Sequence, residues 1–305
     1  IIIKILQPTW RLGLWLALSL AFFVTFFRGL YPYFLSMLSP THVFEQGQVW
    51  TWGVLLLCLI WLYIKRKEIW MAMGRGTQAI FILLGLTLIA ASVLLIKPAS
   101  LDFSVFQMLL TSLGLFVILF GRAAKLPAIF LTVYAFAISF PVLVRMFVED
   151  SYSKTATVPL VGLLSGLGYP IHNQGQWLHI TTQSGGYITT LLTAACAGTE
   201  SMAIFVALFV LMMLDKPLPP KRAAGLFAFG VLGTWLQNLV RLSFLTLGAY
   251  YLGDIPWTAH RYIIYVMFPL WYFIFAYVYL EQTRFSLARG KRRSLIYQPP
   301  RMERV

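Results

Sequence analysis

The sequence predicts an all-α polytopic membrane protein of about eight transmembrane helices with both termini cytoplasmic. Three observations carry this. Of the 305 residues, 59% are hydrophobic and only 11% are charged, a balance that excludes two ordinary soluble domains. The apolar residues gather into runs long enough to cross a bilayer. The basic residues then fall in alternate loops between those runs, the asymmetry that orients membrane helices.

The runs lie at roughly 12–30, 49–64, 78–96, 104–120, 127–148, 190–214, 223–250 and 261–280. The first follows Lys4 and Arg11 as a signal peptide would, but no small-residue cleavage site follows it, so it is expected to be a retained helix. The second is short, and the seventh is long enough to tilt. Pro141 is expected to kink the fifth. Eighteen of the 24 lysines and arginines fall in one set of loops and in the tail. The other loops carry Glu45, Asp102, Glu149, Asp150 and Asp254 instead. The net charge of +14 is accounted for as a topology signal, with no nucleic-acid partner required. Four segments follow: a five-span bundle over 1–148, an extracytoplasmic cap over 149–189, a three-helix segment over 190–280 and a basic cytoplasmic tail over 281–305. The tail is suited to anionic headgroups.

The cap reads as a helix followed by a hairpin. Val158–Leu167 is apolar and broken by glycine, as a short interfacial helix would be. The alternation Gln176–Thr181, the turn Ser184-Gly185-Gly186 and the run Tyr187–Thr190 predict two paired strands. This hairpin feeds directly into Ala195-Cys196-Ala197-Gly198. It serves either as a lid or substrate edge, or as a small cap over the bundle.

There are two cysteines. Cys58 lies mid-span and reads as packing. Cys196 heads the sixth span, and the nineteen residues to Leu214 make roughly 28 Å of helix, about one hydrocarbon thickness. The thiol is therefore expected at the outer boundary of the bilayer, in the first helical turns and at the positive end of the helix dipole. Arg241 reaches the same depth on the outward-running seventh span, with Asn238 three residues earlier on the same face. An arginine inside an apolar run is functional by default. His260, with Arg261 beside it, opens the inward-running eighth span. A thiol, a guanidinium and an imidazole at one depth have the form of nucleophile, cationic stabiliser and base. Glu200, at i+4 from Cys196, is expected on the thiol's face, either orienting Arg241 or His260 or serving as a structural partner of Arg241. The same residues leave two other readings open. One is a transporter or channel with Arg241 and Glu200 lining a path. The other is a non-catalytic scaffold in which Cys196 is merely small. No cofactor is called for, and His172 and His179, seven apart, are too weak a spacing for a metal site.

The run Ala195-Cys196-Ala197-Gly198, then Asn238-Leu239-Val240-Arg241, then His260, resembles the exosortase/archaeosortase family, polytopic membrane transpeptidases with a Cys-x-Gly motif, an Asn-x-x-Arg motif and a downstream His or Arg. The resemblance covers roughly residues 150–280, and the stretch from Cys196 to Phe205 looks closest to archaeosortases. It implies a cysteine transpeptidase or protease in the cell membrane of a prokaryote, with its active site at the extracytoplasmic face. The implied partners are secreted proteins whose C-terminal tail has a short motif, a hydrophobic span and a basic end. The implied acceptor is an amine, on a membrane lipid. Cys196, Arg241 and His260 are the catalytic residues by this resemblance, with Arg261 as the alternative third member and Glu200 and Asn238 in support.

Overall fold

A computed structural model of the chain describes residues 8–32, 49–73, 78–95, 101–254 and 257–296. Lys4 and the tail beyond Ile296 lie outside the described residues, as do the side chains of His260 and Arg261. The chain forms two compact units, Ile1–Leu143 and Val144–Val305.

The first unit is helical. It contains α1 (Pro8–Phe26), α2 (Val49–Ile64), α3 (Arg66–Met73), α4 (Ala79–Ala90, continued by a π-helical turn over Ala91–Leu95), α5 (Leu101–Phe120) and most of α6 (Lys125–Phe147). α4 and α5 lie close against each other, with Gly85 and Gly114 where their backbones meet. In this contact Ser92 Oγ donates to the Gln107 carbonyl at 2.8 Å and Gln107 Nε2 donates back to the Ser92 carbonyl at 2.9 Å. These reciprocal bonds satisfy polar groups that an apolar bundle could not otherwise bury cheaply.

The second unit begins with α7 (Glu149–Gly166), continues through β1 (Ile171–Gln174), β2 (Trp177–Thr181) and β3 (Tyr187–Leu191), and ends with α8 (Thr199–Asp215), α9 (Pro220–Leu252) and α10 (Trp257–Ile296). The three strands form an antiparallel meander in the order β1-β2-β3. The β2–β3 hairpin is the one expected from the Ser-Gly-Gly turn. β1 is an addition, and the helix before it starts at Glu149 instead of near Val158, with Glu149 and Asp150 in its first turn, where the helix dipole favours acids.

Leu178 and Ile180 of β2 pack with Leu160 and Leu164 of α7 and with Leu242 and Ala249 of α9, and Cys196 lies against this cluster. The cap is thereby seated on the second half of α9. Gln183 N donates to the Tyr250 carbonyl at 3.0 Å, a second tie between the hairpin and α9. Phe205 of α8 and Phe275 and Tyr279 of α10 form a separate core around the first half of α9. There, side chains added at Gly230 and Gly233 would collide with Phe205 and Trp271, so the glycines permit the close approach of the three helices.

Among the described residues, three helical runs are long and apolar enough to cross a membrane: Thr9–Phe26, Ser104–Phe147 and Pro220–Leu252. Gly53–Ile64 and Ala79–Leu94 are shorter apolar helices. The second long run contains what the sequence divides into two spans, with a 3-10 turn at Gly121–Ala124 between α5 and α6. The span expected at 190–214 starts later, at Thr199, because 187–191 is strand and 194–198 is turn. The last helix runs well beyond residue 280, to Ile296.

Candidate active site

β3 delivers the chain into a turn that holds Cys196 just ahead of α8. Ala197 N bonds the Thr193 carbonyl at 3.0 Å, Gly198 N the Ala195 carbonyl at 3.1 Å and Thr199 N the Ala194 carbonyl at 3.3 Å. The turn closes on Gly198, the N-cap of α8, at φ +92°. That left-handed backbone favours glycine. A Cβ there would also stand 3.0 Å from Asn238 Cγ and 3.2 Å from Ser201 Oγ. Cys-x-Gly is thus a folding instruction: the glycine turns the chain and leaves room for a side chain arriving from α9.

This geometry corrects one expectation. Cys196 is not within the helix, and the left-handed residue between it and Glu200 breaks the helical phase. The i+4 spacing therefore does not put the two on one face. Glu200 sits in the first turn of α8, and both it and Cys196 are within electrostatic reach of Arg241.

α9 presents a buried polar stripe made of Thr234, Asn238 and Arg241, spaced by four and three residues, so they share one face. Two of them grip the Cys196 turn. Asn238 Nδ2 donates to the Cys196 carbonyl at 3.1 Å, and Arg241 Nη2 donates to the same oxygen at 2.7 Å. Arg241 is 4% exposed and Asn238 1%. A charge-assisted bond this short is among the stronger ones a side chain can make. The side chain of Cys196 itself is half-buried, and its thiol is free. Thr193 Oγ1 donates to Cys196 Sγ at 3.6 Å. Thr193 is the functional candidate that the sequence did not single out. Its only signal is a threonine three residues before the cysteine, and that spacing means nothing until 194–198 is known to be a turn.

α10 completes the surroundings. Phe268 lies with its ring 5.9 Å from the Arg241 guanidinium carbon. Tyr272 Oη donates to the Ser201 carbonyl at 2.7 Å, Trp271 Nε1 to Thr234 Oγ1 at 3.1 Å, and Gln237 Nε2 to the Met267 carbonyl. With Trp271 opposite Thr234 and Met267 opposite Gln237, α9 and α10 run antiparallel, and positions 260 and 261 fall about one helical turn, roughly 6 Å, beyond the level of Arg241. Position 260 shares a line with Met267 and Trp271, seven and eleven residues on. Position 261 shares one with Phe268 and Tyr272. The two positions thus lie on adjacent lines of α10, 260 in register with Met267 and 261 with Phe268.

Every one of these positions lies within residues 50–277, the stretch matched by the family model of transmembrane exosortases. The chain belongs to this exosortase family. No curated protein and no solved structure matches it. Membership makes the exosortase a membrane protein and supports a transpeptidase-type function. His172 and His179 stand apart from the Cys196 turn in chemistry and place. They pair across β1 and β2 with their rings stacked at 5.0 Å, on the sheet face opposite Leu178 and Ile180. Among the described residues no group of three or more His, Cys, Asp or Glu is placed to hold a metal ion.

Proposed function

We propose that this exosortase is a cysteine transpeptidase of the outer face of a prokaryotic cell membrane, acting on secreted proteins that end in a motif, a hydrophobic span and a basic segment. The observation that carries the reading is the double grip of Asn238 and Arg241 on the Cys196 carbonyl. A sequence-distant helix spends a buried guanidinium and a buried amide on fixing one cysteine-bearing turn. A cysteine that merely filled space would not need such positioning, whereas a nucleophile does.

Cys196 Sγ attacks the carbonyl carbon at the motif and forms a carbon–sulfur bond. The carbon–nitrogen bond then breaks, the leaving amine takes a proton from His260, and the secreted protein is held as a thioester. An incoming amine gives its proton back to His260 and attacks the thioester. Cys196 leaves as the thiolate, and one amide has been exchanged for another. Arg241 and the Thr193 hydroxyl stabilise the negative charge as it moves between sulfur and oxygen. Asn238 holds the turn. An amine on a lipid headgroup as acceptor leaves the product anchored to the membrane, while water as acceptor makes the same site a protease.

The test is mass spectrometry of the C-terminus of a secreted protein with such a tail, co-expressed with the exosortase or with its Cys196→Ala variant. The expected result is a truncated, adducted C-terminus only with the wild type. Processing by a well-expressed Cys196→Ala variant would falsify the cysteine mechanism.

A further inference from the structure

The sheet ends in an edge whose hydrogen-bonding phase can be read from two bonds. Thr182 N donates to the Gly186 carbonyl at 2.8 Å and Leu192 N to the Gln176 carbonyl at 2.9 Å. These flank the β2–β3 register, in which Ile180 faces Ile188 and Leu178 faces Thr190. In an antiparallel ladder, hydrogen-bonded pairs recur every second residue. Ile188 and Thr190 therefore turn their N–H and C=O groups inward to β2. Tyr187, Thr189 and Leu191 turn theirs outward. Among the described residues β3 has no further strand beside it, and no backbone hydrogen bond from elsewhere among them reaches these outward groups. The three residues are exposed, Tyr187 to 62% and Leu191 to 39%. An edge of this kind is a template for one more strand.

What distinguishes this edge is where it leads. Leu191 is the last residue of β3, and Cys196 lies five residues on, so at about 3.4 Å per residue the thiol is at most roughly 17 Å along the chain from the open groups. A peptide paired with β3 would have its continuation carried to the Cys196 turn. We infer that the outward edge of β3 binds the substrate's own backbone as an added strand, so that the residues preceding the sorting motif are held at Tyr187, Thr189 and Leu191 while the motif lies at Cys196. This rests on the transpeptidase reading above. The pairing is parallel. After Cys196 the exosortase chain enters the apolar helix α8, and a tail whose hydrophobic span follows its motif runs in the same sense. Recognition through the backbone fixes the depth and direction of the substrate and leaves the identity of the preceding side chains largely free.

The probe is a synthetic fluorescent peptide of the residues up to and including the motif, taken from a tripartite tail encoded in the same genome. Its binding is measured to the full-length Cys196→Ala protein, in which chemistry is blocked. A scan of single backbone N-methylations is expected to weaken binding about tenfold or more at every second position and little between them, because only alternate amides face the edge. Thr189→Pro, which removes one outward N–H on an edge strand that tolerates proline, is expected to weaken binding to a similar degree, with Thr189→Ser binding as the parent. A thermal unfolding curve checks that the proline variant is folded, and if it is not, the methylation scan alone decides. A flat or non-alternating scan, while the wild type still processes the whole tailed protein, overturns the edge and leaves the transpeptidase standing. Failure of the wild type to process any tailed protein overturns both.

Discussion

Arg241 spends one of its five donors on a backbone carbonyl and keeps its charge within reach of a thiol and a carboxylate. Under the proposed mechanism that arrangement asks for a planar fork, with one nitrogen holding the turn and another left for the reacting atoms. Arg241→Lys is therefore expected to lose about a hundredfold or more in processing rate although the charge is kept. Near-normal turnover in a quantitative cleavage assay would reduce Arg241 to a structural charge. Thr193 supplies the opposite kind of contact, a neutral hydroxyl on sulfur. Thr193→Val, equal in shape, is expected to slow thioester formation by about tenfold while Thr193→Ser retains most of the rate. If Val and Ser behave alike, the hydroxyl has no part in the chemistry. Asn238 and Arg241 were legible in the sequence as polar residues in an apolar run, where polarity is costly, and Cys196 from its place at the head of an apolar run beside Gly198. Thr193 was not, since threonine is unremarkable at the end of a strand. Glu200 does reach Arg241, but not by the i+4 route its spacing suggested, because Gly198 interrupts the helix between it and Cys196.

At the scale of elements, the long apolar helices were legible from apolar length and the hairpin from its turn, whereas β1 and the short, charged α3 were missed. Ile171-His172-Asn173-Gln174 has one β-branched residue and no alternation, and it becomes a strand by pairing with β2, a tertiary effect that propensity does not carry. The start of α8 was missed for a related reason, because apolar continuity runs through 190–198 and hides both strand and turn. α10 raises the sharpest element-level question. Positions 260 and 261 lie on adjacent lines of that helix, about 100° apart, one continuing toward Met267 and Trp271 and the other toward Phe268 and Tyr272. Both lines meet residues of the site, so register alone does not choose between them, and the chemistry does. Acyl transfer to an amine needs a group that both takes and gives a proton, and an imidazole does so near neutral pH whereas a guanidinium does not. His260→Ala is expected to lose activity by about a hundredfold or more, with Arg261→Ala affected far less. The wild-type rate is expected to depend on a group titrating near neutrality, and that limb should vanish in the His260 variant. An essential Arg261 with a dispensable His260 would replace this mechanism by one with two arginines and a base from elsewhere.

For the molecule as a whole, the distribution of charge and the construction of the site make a joint statement about sidedness. Eighteen basic residues fall in one set of loops and the tail, so those are expected in the cytoplasm. The cap and the Cys196 turn are then expected on the other side. The structure shows which parts must share a side. The cap, with its exposed Trp177 and Tyr187, is seated on the half of α9 that also carries Asn238 and Arg241. Sheet, nucleophile turn and polar stripe are thus one folded piece, expected on one side of the membrane. Cys58, buried mid-helix in α2, provides an internal control, being a thiol that a polar reagent on neither side should reach. A membrane-impermeant maleimide applied to right-side-out membranes should label Cys196 about tenfold more than in inverted vesicles, with Cys58→Ala labelled like the parent and Cys196→Ala hardly at all. The ratio matters more than the yield, because a half-buried thiol reacts slowly from the correct side as well. Preferential labelling in inverted vesicles would turn the whole charge argument over. It would also remove secreted proteins as substrates, since their tails would then meet the site only before export.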